Sequence, residues 1–560
     1  MSALTVEARI PASLAETVST QLEQAAHARV ATRLRAGDAT LWGPAGAPEI
    51  GDRLGWLTIA ERMLEGLSEV TAFAAQARED GVRDAVLLGM GGSSLAPEVL
   101  RRCFGSAPGH PRLHVLDSTD AAAVRAVGAA VDLRRTLFIV SSKSGGTIEP
   151  LSLFAHFWSL AGRGEQFVAI TDPGSGLEEL ARAHGFRGVF AGDPNIGGRY
   201  SALSAFGIVP AALTGVDVRA LLARAPQAWQ SQMAADAGPP ALAAPAAEEL
   251  QRAAGVWLGA ALSALARAGR DKLTFLIAPS LPGLGLWLEQ LVAESTGKRG
   301  TGILPVAEEP PGDPGDYGED RLFAYLPDVA APDARLDELA QALAGAGHPV
   351  LTVPTGGPPD LGRVFLLWEI AVAVAGWGLQ INPFDQPNVQ QAKDATKRVL
   401  EEFQRSGRLP EPAGAGETAV GELLAGARPP SYVALMGYTR PSLEFDEAIA
   451  ALRVAIRAAG GATTTFGYGP RFLHSTGQYH KGGPRTGRYL QLLHDGGDDL
   501  EIPGAGYTFD TLKNAQAVGD LQTLRELGLA AERVCLAGDE PAAGVCALAD
   551  SIDRTARSRT

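Results

Sequence analysis

Cysteine is scarce in this sequence, and the scarcity excludes two classes of site. Only three cysteines occur in 560 residues, Cys103, Cys535 and Cys546. Three thiols at these spacings provide neither a disulfide framework nor the paired pattern of a zinc site. A chain without such a framework is typical of a reducing compartment. We therefore expect a cytoplasmic protein with no metal site.

Basic charge and long apolar runs are also lacking. The chain has 49 Lys and Arg against 63 Asp and Glu, a formal net charge of -14. Because phosphate backbones attract basic surfaces, this balance argues against a nucleic-acid partner, although a small anion needs only local donors. No apolar run reaches the ~18 residues of a membrane span, and the first residues lack the pattern of a signal peptide. We expect neither nucleic acid nor a membrane as a partner.

What the sequence does contain is a series of short apolar runs that end in glycine, serine or acidic residues. Helical patterns follow them, and strands that alternate with helices form parallel sheets. A chain of this length exceeds the roughly 250–300 residues that one core supports. The expected fold class is therefore α/β, with two doubly wound parallel-sheet domains and a smaller C-terminal α/β domain. The strand-bearing runs are 85–94, 112–120, 136–146, 166–176, 273–280, 321–327, 348–354, 432–438 and 463–469.

Composition also suggests where the domains begin and end. A helix is predicted over 12–36, and a loop rich in proline, glycine and acids over 305–320. A Pro/Ala-rich stretch at 225–247 and a Gly/Pro-rich stretch near 405–430 are predicted to be connections. The expected units are an N-terminal helical segment, 1–60, two α/β domains, 61–224 and 248–405, and a C-terminal α/β domain, 430–560.

Two polar loops directly follow predicted strands, where ligands bind in parallel sheets. The first, GMGGSS, contains Gly92 and Ser93 and precedes a helix whose N-terminus offers free N–H groups to an anion. The second, SSKSGGTIEP, places the hydroxyls of Ser142, Ser144 and Thr147 around a Gly-Gly turn. Each loop alone also fits an ordinary helix cap. Together they predict a phosphate site, although neither matches a Walker or full dinucleotide motif.

Three further stretches carry candidate catalytic groups. Arg199 follows two glycines in GGRYS, and Lys393 lies in a predicted helix that begins near Pro387. Gln290 and Glu294 are four residues apart and so share one helix face. A partly desolvated glutamate has a raised pKa and suits a general base. A surface arginine, a solvated glutamate and a solvent-facing lysine are the alternatives for single residues of these types.

In this order and spacing the stretches resemble the glucose-6-phosphate isomerase family over about residues 80 to 400. GGRYS, ESTGK and FDQ-x-x-V-x-x-x-K are together highly specific. DATLWG (38–43) and RFLHSTGQYHKGGP (471–484) resemble more closely the isomerase half of bifunctional transaldolase–isomerase proteins. The resemblance implies two sugar-isomerase domains, a phosphosugar substrate, no cofactor and a homodimer. The chain has no room for a transaldolase barrel, so that activity is not predicted.

The resemblance also implies roles for residues that match the family's motifs. Glu294 matches the base that moves a proton between C1 and C2, Arg199 the arginine that stabilises the enediolate, and Lys393 the lysine near the ring oxygen. Substrate contacts are implied for Gly92 and Ser93 in a sugar-binding turn, Ser142, Ser144 and Thr147 in a phosphate loop, and Gln290.

The chain departs from the family at the histidine that opens the sugar ring. The family carries it between the glutamate and lysine stretches, where this chain has only His348, in a context that does not match. His480, in a polar Gly-rich loop of the C-terminal segment, is the predicted replacement, ahead of His474. Imidazole suits proton transfer near neutral pH. If His480 has this role, the C-terminal domain of the same subunit or of a partner subunit leans over the active site. If not, ring opening falls to Lys393 or water, or the substrate enters in its open-chain form.

Three functions remain open on the sequence alone. The first is isomerisation of glucose 6-phosphate and fructose 6-phosphate. The second is isomerisation of a related sugar, mannose 6-phosphate or both, because a few pocket contacts decide C2 stereochemistry. The third is a phosphosugar sensor without catalysis, which would have no need of Glu294.

Overall fold

The structure, a computed structural model, describes residues 4–233, 250, 252–410, 417–425 and 427–557. Two predicted connections fall partly outside these ranges. They are residues 234–247 of the stretch 225–247, and residues 411–416 and 426 of the stretch 405–430.

The N-terminal segment is more varied than the predicted single helix over 12–36. The chain forms strand β1 (Thr5–Arg9) and then two helices, α1 (Ala12–His27) and α2 (Val30–Arg35). Arg29 separates the helices with a left-handed φ of 53°, which interrupts helical hydrogen bonding. Two further helices lead to the first sheet, α3 (Ile59–Glu65) and α4 (Leu67–Glu79).

The first sheet is fully parallel, in the order β3-β2-β4-β5-β6. All residues of its central strands are buried, as expected for a parallel sheet covered by helices on both faces. Its strands are β2 (Asp84–Leu88), β3 (Arg112–Leu116), β4 (Thr136–Ser141), β5 (Phe167–Thr171) and β6 (Gly188–Ala191). The associated helices are α5 (Leu95–Phe104), α6 (Ala121–Ala130), α7 (Ile148–Ala161), α8 (Gly176–Ala183), α9 (Ala205–Leu213) and α10 (Val218–Arg224).

The second sheet recruits the N-terminal strand. Its order is β7-β1-β11-β10-β8-β9, in which β1 runs antiparallel to β11 and the central strands are parallel. Its other strands are β7 (Gln232–Met233), β8 (Lys272–Ile277), β9 (Leu304–Val306), β10 (Arg321–Leu326) and β11 (Val350–Thr352). The helices of this region are α11 (Ala254–Arg267), α12 (Leu284–Thr296), α13 (Ala334–Gly345), α14 (Leu361–Gly378) and α15 (Pro387–Ser406). The loop predicted over 305–320 therefore begins inside β9.

The C-terminal segment folds around a third parallel sheet, in the order β13-β12-β14-β15. Two of its strands match predicted runs, whereas β14 and β15 were not predicted. The strands are β12 (Tyr432–Tyr438), β13 (Thr463–Tyr468), β14 (Gly487–Leu493) and β15 (Ala530–Cys535). The helices are α16 (Glu417–Ala425), α17 (Leu443–Gly460), α18 (Gly477–Gly482), α19 (Phe509–Glu526) and α20 (Pro541–Arg557).

One stretch of the described chain, 358–378, is long and apolar enough by composition to cross a membrane. It contains α14, and 94% of its apolar window is buried inside the protein. Tight packing on α11 explains the burial, since a side chain on Gly259 would overlap the carbonyl of Ala371. This helix is therefore part of the core.

The predicted α/β fold class with parallel sheets is confirmed.

Candidate active site

A cleft of about 310 Å³ lies beyond the carboxyl ends of β2 and β4 and against α12. Most of the predicted site residues line it, although they come from distant parts of the sequence. Among the residues on its wall are Gly92, Ser93, Ser144, Thr147, Gln290, Glu294 and Lys393. The position agrees with the general rule that ligands bind at the carboxyl edge of a parallel sheet.

The GMGGSS turn brings two backbone segments into direct contact. It forms a 3₁₀ turn, Gly91–Ser93, in which Gly91 has a left-handed φ of 56°. A side chain on Gly92 would overlap the carbonyl of Gly198, so only glycine allows this approach. The turn therefore holds the Gly198–Tyr200 segment, which carries Arg199, against the floor of the cleft.

The second loop connects β4 to α7 and presents hydroxyls and free N–H groups. The hydroxyl of Ser142 donates to Thr147 Oγ1 at 3.1 Å, and the backbone N–H of Gly146 donates to Ser144 Oγ at 3.4 Å. Thr147 occupies the N-cap of α7 without capping it through its side chain. The first N–H groups of α7 and its positive dipole end are thus available to an anion.

The structure adds a cation to this loop that the sequence analysis did not assign. Lys143 also lines the cleft, where its ammonium donates to Asp172 Oδ2 at 2.5 Å and to the carbonyl of Asp193 at 2.8 Å. Burial lowers the pKa of Lys143, partly offset by Asp172. Its place between Ser142 and Ser144 in the hydroxyl-rich loop was the only signal for it in the sequence.

Glu294 and Gln290 lie one turn apart on α12 and face the cleft together. Glu294 is only 4% exposed. Burial raises its pKa, and the charges of Arg199 and His474 and a hydrogen bond from Gln290 reduce the rise. The Oε1 atom of Gln290 has no hydrogen-bond partner among the described residues. It is therefore a ready acceptor for a ligand hydroxyl.

Arg199 lies beside Glu294 and is 1% exposed. Its Nη1 donates to Gln386 Oε1 at 3.0 Å and is 3.5 Å from Glu294 Oε2. Its other donors bind Ser295 Oγ and the carbonyls of Pro383 and Asp385. All five N–H donors of the guanidinium are thus in use. The structure places Arg199 next to Glu294, but its contact with a ligand would replace one of these bonds.

Lys393 reaches the cleft from α15, the helix predicted to begin near Pro387. Its ammonium makes no hydrogen bond or ion pair within the described ranges. Its charge acts on the buried carboxylate of Glu149. The structure therefore places Lys393 on the wall of the cleft.

The prediction for His480 is wrong. His480 lies in α18 with its imidazole packed between Tyr432, Phe472 and Tyr489, at ring-centroid distances of 6.2, 6.2 and 5.2 Å. Neither ring nitrogen has a hydrogen-bond partner among the described residues. Burial lowers the pKa of His480 to about 3. A neutral imidazole enclosed by aromatic rings has no access to the cleft.

His474, the less favoured histidine, does line the cleft. Its Nε2 lies 2.9 Å from Oε1 of Glu149, a fully buried carboxylate in the first turn of α7. Glu149 follows the hydroxyl-rich loop directly in sequence but was not singled out. The pairing was hidden from sequence reasoning because 325 residues separate its members.

Within the described ranges, no group of three or more His, Cys, Asp or Glu is arranged to hold a metal.

Comparisons with known proteins agree with this geometry. A family profile described as phosphoglucose isomerase matches residues 58–301. A glucose-6-phosphate isomerase of Rubrobacter xylanophilus is 30% identical over 420 residues, which cover 66% of this chain and 92% of the relative. A glucose-6-phosphate isomerase of Thermus thermophilus is 30% identical over 401 residues, covering 63% and 91%.

Solved structures show the same fold. A hypothetical protein from Thermus thermophilus superposes with a TM-score of 0.56 at 27% identity, covering 70% of this chain and 99% of that one. A glucose-6-phosphate isomerase from Chlamydia trachomatis gives a TM-score of 0.50 at 20% identity, covering 62% and 75%. Because a curated relative that is 30% identical is matched over 92% of its length, the chain belongs to the phosphoglucose isomerase family.

Proposed function

We propose that this protein interconverts glucose 6-phosphate and fructose 6-phosphate by proton transfer through a cis-enediolate. The observation that carries the proposal is Glu294, a buried carboxylate with a raised pKa that faces a cleft with the charge of Arg199 beside it. The named activity of the curated relatives supports the same reaction. A phosphosugar is accordingly the proposed substrate.

Glu294 removes the proton from C2 of the open-chain aldose and returns it to C1, which forms the ketose. Negative charge then develops on the oxygens at C1 and C2, and a fixed positive group lowers its energy. Arg199 is the proposed group. Its bond to Gln386 Oε1, a neutral acceptor on the cleft wall, is the one that a substrate oxygen replaces most easily.

The phosphate binds in the loop between β4 and α7. Ser142, Ser144 and Thr147 offer hydroxyls, and the N-terminus of α7 offers backbone N–H groups, which together match the several acceptor oxygens of a phosphate. Lys143 adds a positive charge at the same place. Binding energy from this remote group positions C1 and C2 against Glu294. Gly92, Ser93 and Gln290 contact the sugar.

The proposal also covers the cellular compartment, the metabolic pathways and the oligomeric state of the protein. We infer a cytoplasmic homodimer that acts in glycolysis and gluconeogenesis without a cofactor, as the family resemblance implies. Sedimentation velocity at micromolar concentration measures the assembly directly. A monomer would contradict the dimer without affecting the reaction. The predicted domains 61–224, 248–405 and 430–560, and the closer match to transaldolase-linked isomerases, remain predictions.

The decisive experiment compares Glu294→Gln with the wild type in the conversion of fructose 6-phosphate to glucose 6-phosphate. Loss of a general base costs roughly 10²- to 10⁴-fold in turnover, so near-complete loss is expected. Glu289→Gln is a matched control on the same helix. Burial raises the pKa of Glu289 to about 8, so it is mostly protonated at neutral pH, and an amide there is a small change.

Each outcome has a definite meaning. Equal turnover in the wild type and Glu294→Gln would remove Glu294 from the mechanism. A folded wild type that binds but does not convert these sugars would indicate a phosphosugar sensor. Conversion of mannose 6-phosphate at a comparable rate would indicate the dual-specificity alternative.

A further inference from the structure

Proton abstraction at C2 needs an open-chain sugar, whereas glucose 6-phosphate is mainly a closed ring. Opening the ring requires that the bond between C1 and O5 break and that O5 receive a proton. Within the described ranges, the titratable side chains that line the cleft are Glu49, Arg53, Lys143, Asp172, Glu294, Lys393 and His474. Glu294 is already assigned to C2, Lys143 is paired with Asp172, and Arg53 is paired with Glu49. His474 and Lys393 are left.

The backbone around His474 is fixed against the sugar-binding turn. His474 ends a 3₁₀ turn, Arg471–His474, in the C-terminal segment. A Cβ built on Gly91 would come within 2.9 Å of both Cβ and the carbonyl oxygen of His474. The side-chain amide of Gln290 donates to the same carbonyl at 2.7 Å. The imidazole is therefore held next to two groups that are proposed to contact the sugar.

The buried carboxylate of Glu149 decides which nitrogen of the His474 imidazole carries a proton. Oε1 of Glu149 lies 2.9 Å from His474 Nε2 and accepts from the amide of Gln516 at 2.7 Å. Thr119 donates to Gln516 at 2.8 Å and fixes that amide in turn. Burial alone would raise the pKa of Glu149, but the charge and hydrogen bond of His474 dominate and lower it. The ionised carboxylate thus keeps a proton on Nε2.

The other ring nitrogen is available for chemistry. Nδ1 of His474 makes no hydrogen bond with any described residue, and the side chain is 16% exposed. An imidazole with one nitrogen bound to a carboxylate and the other free is the usual arrangement of a histidine acid or base. The contrast with His480, whose two nitrogens are both enclosed by aromatic rings, decides between the two histidines.

A second ion pair locks this part of the C-terminal segment to the first sheet. Arg471, three residues before His474, makes two hydrogen bonds of 2.8 Å to the carboxylate of Asp117. Asp117 follows β3 and also accepts from the hydroxyl of Ser94 at 3.1 Å. The position of His474 is therefore determined by residues of the first sheet as well as by its own segment.

We propose that His474 is the acid that opens the sugar ring, held in place by Glu149, so that the C-terminal segment is part of the active site. The inference rests on the proposed isomerase function. In the step, the C1–O5 bond breaks and O5 takes the proton from Nδ1 of the imidazolium. The C1 hydroxyl loses its proton to water as the C1=O bond forms, and the imidazole then regains a proton from solvent. Glu149 is a positioning residue.

Exchange between the α and β anomers of glucose 6-phosphate tests this step by itself. The exchange needs ring opening and closure but no proton transfer at C2, so it does not depend on Glu294. Two-dimensional exchange NMR measures it above the rate in buffer. We expect His474→Asn to reduce the enzyme-dependent exchange by about 100-fold or more, while Glu294→Gln retains it. Glu149→Gln, which keeps His474 but replaces the carboxylate that binds its Nε2, should lose a smaller part of the exchange in the same assay.

The controls separate folding from chemistry. His494→Asn changes a histidine of the same segment whose Nε2 donates to the carbonyl of Gly538, outside the cleft, and should leave exchange unchanged. If His474→Asn does not fold, the loss in a folded Glu149→Gln variant decides the question. Normal exchange in folded His474→Asn, or a wild type no faster than buffer, would overturn the proposal. Exchange that depends on His474 in a protein without isomerase activity would contradict the proposed function and leave this inference standing.

Discussion

At the scale of single residues, burial decides which side chains have useful chemistry. Glu294 and Glu289 are neighbours on α12 and both are buried, yet only Glu294 has Arg199 beside it on a cleft wall. The spacing of Gln290 and Glu294 predicted their common helix face correctly. The sequence offered His474 only as the second choice after His480, because its partner Glu149 is near only in space.

The raised pKa of Glu294 leads to a pH prediction. The base must be ionised, so activity falls as the pH drops through its pKa, and burial moves that pKa above the ordinary value of 4.5. We therefore expect the acid limb of the kcat profile to lie above pH 4.5. Saturating substrate is required, because the phosphate of the free substrate itself titrates near pH ~6.

The residual activity of Glu294→Gln is the matched reference for this profile. It should show no acid limb in the same range, since its amide does not titrate. An acid limb at or below pH 4.5 in the wild type, or the same limb in both proteins, would mean that another group is responsible.

At the scale of elements, two short turns that are about 100 residues apart in the sequence act as one unit. The Gly91–Ser93 turn and the Gly198–Tyr200 turn touch through backbone atoms at Gly92 and Gly198. Glycine-rich loops after strands were visible in the sequence. Their contact was not, because it depends on how the sheet twists and where each strand ends.

Gly92→Ala tests this contact. The new methyl group overlaps the carbonyl of Gly198 and must push the turn that carries Arg199 away from Glu294. Displacement of a catalytic group by about 1 Å costs roughly 10²-fold, so we expect a loss of that order in kcat/KM with a lower Tm. Gly345→Ala, at the exposed end of α13 where the methyl group meets nothing within 4 Å, is the control. Wild-type kcat/KM in Gly92→Ala would show that the two turns do not act together.

At the scale of the whole molecule, buried ion pairs join the second sheet to the C-terminal segment. Glu309 binds Arg321 of β10 through two hydrogen bonds of 2.8 and 3.0 Å. It also accepts from Thr464 of β13 at 3.3 Å, and Arg457 of α17 is 3.8 Å away. Its side chain is 1% exposed. Removing one member of such a network leaves charge buried without compensation.

We expect Glu309→Gln to lower the free energy of unfolding by about 3–5 kcal/mol, measured as a lower Tm at pH 7. Burial alone would raise the pKa of Glu309, but Arg321 dominates and lowers it below 4.5. The stabilisation is therefore present above the unfolded pKa and is lost as the pH falls through the folded one. The Tm difference should shrink in acid.

Glu532→Gln provides the comparison for this prediction. It breaks a partly exposed pair with Arg525, worth at most about 1 kcal/mol. Equal effects of the two substitutions would show that Glu309 does not join the second sheet to the C-terminal segment.

The sequence by itself determined the α/β class, most strands, the hydroxyl-rich loop after β4 and the common helix face of Gln290 and Glu294. Each of these depends on periodicity or on neighbours within a few residues. The tertiary structure decided which histidine reaches the cleft and that β1 joins the second sheet. It also decided that Arg199 donates hydrogen bonds to the backbone carbonyls of Pro383 and Asp385. Those outcomes depend on contacts between residues far apart in the chain, whose distances are set only when helices and sheets pack.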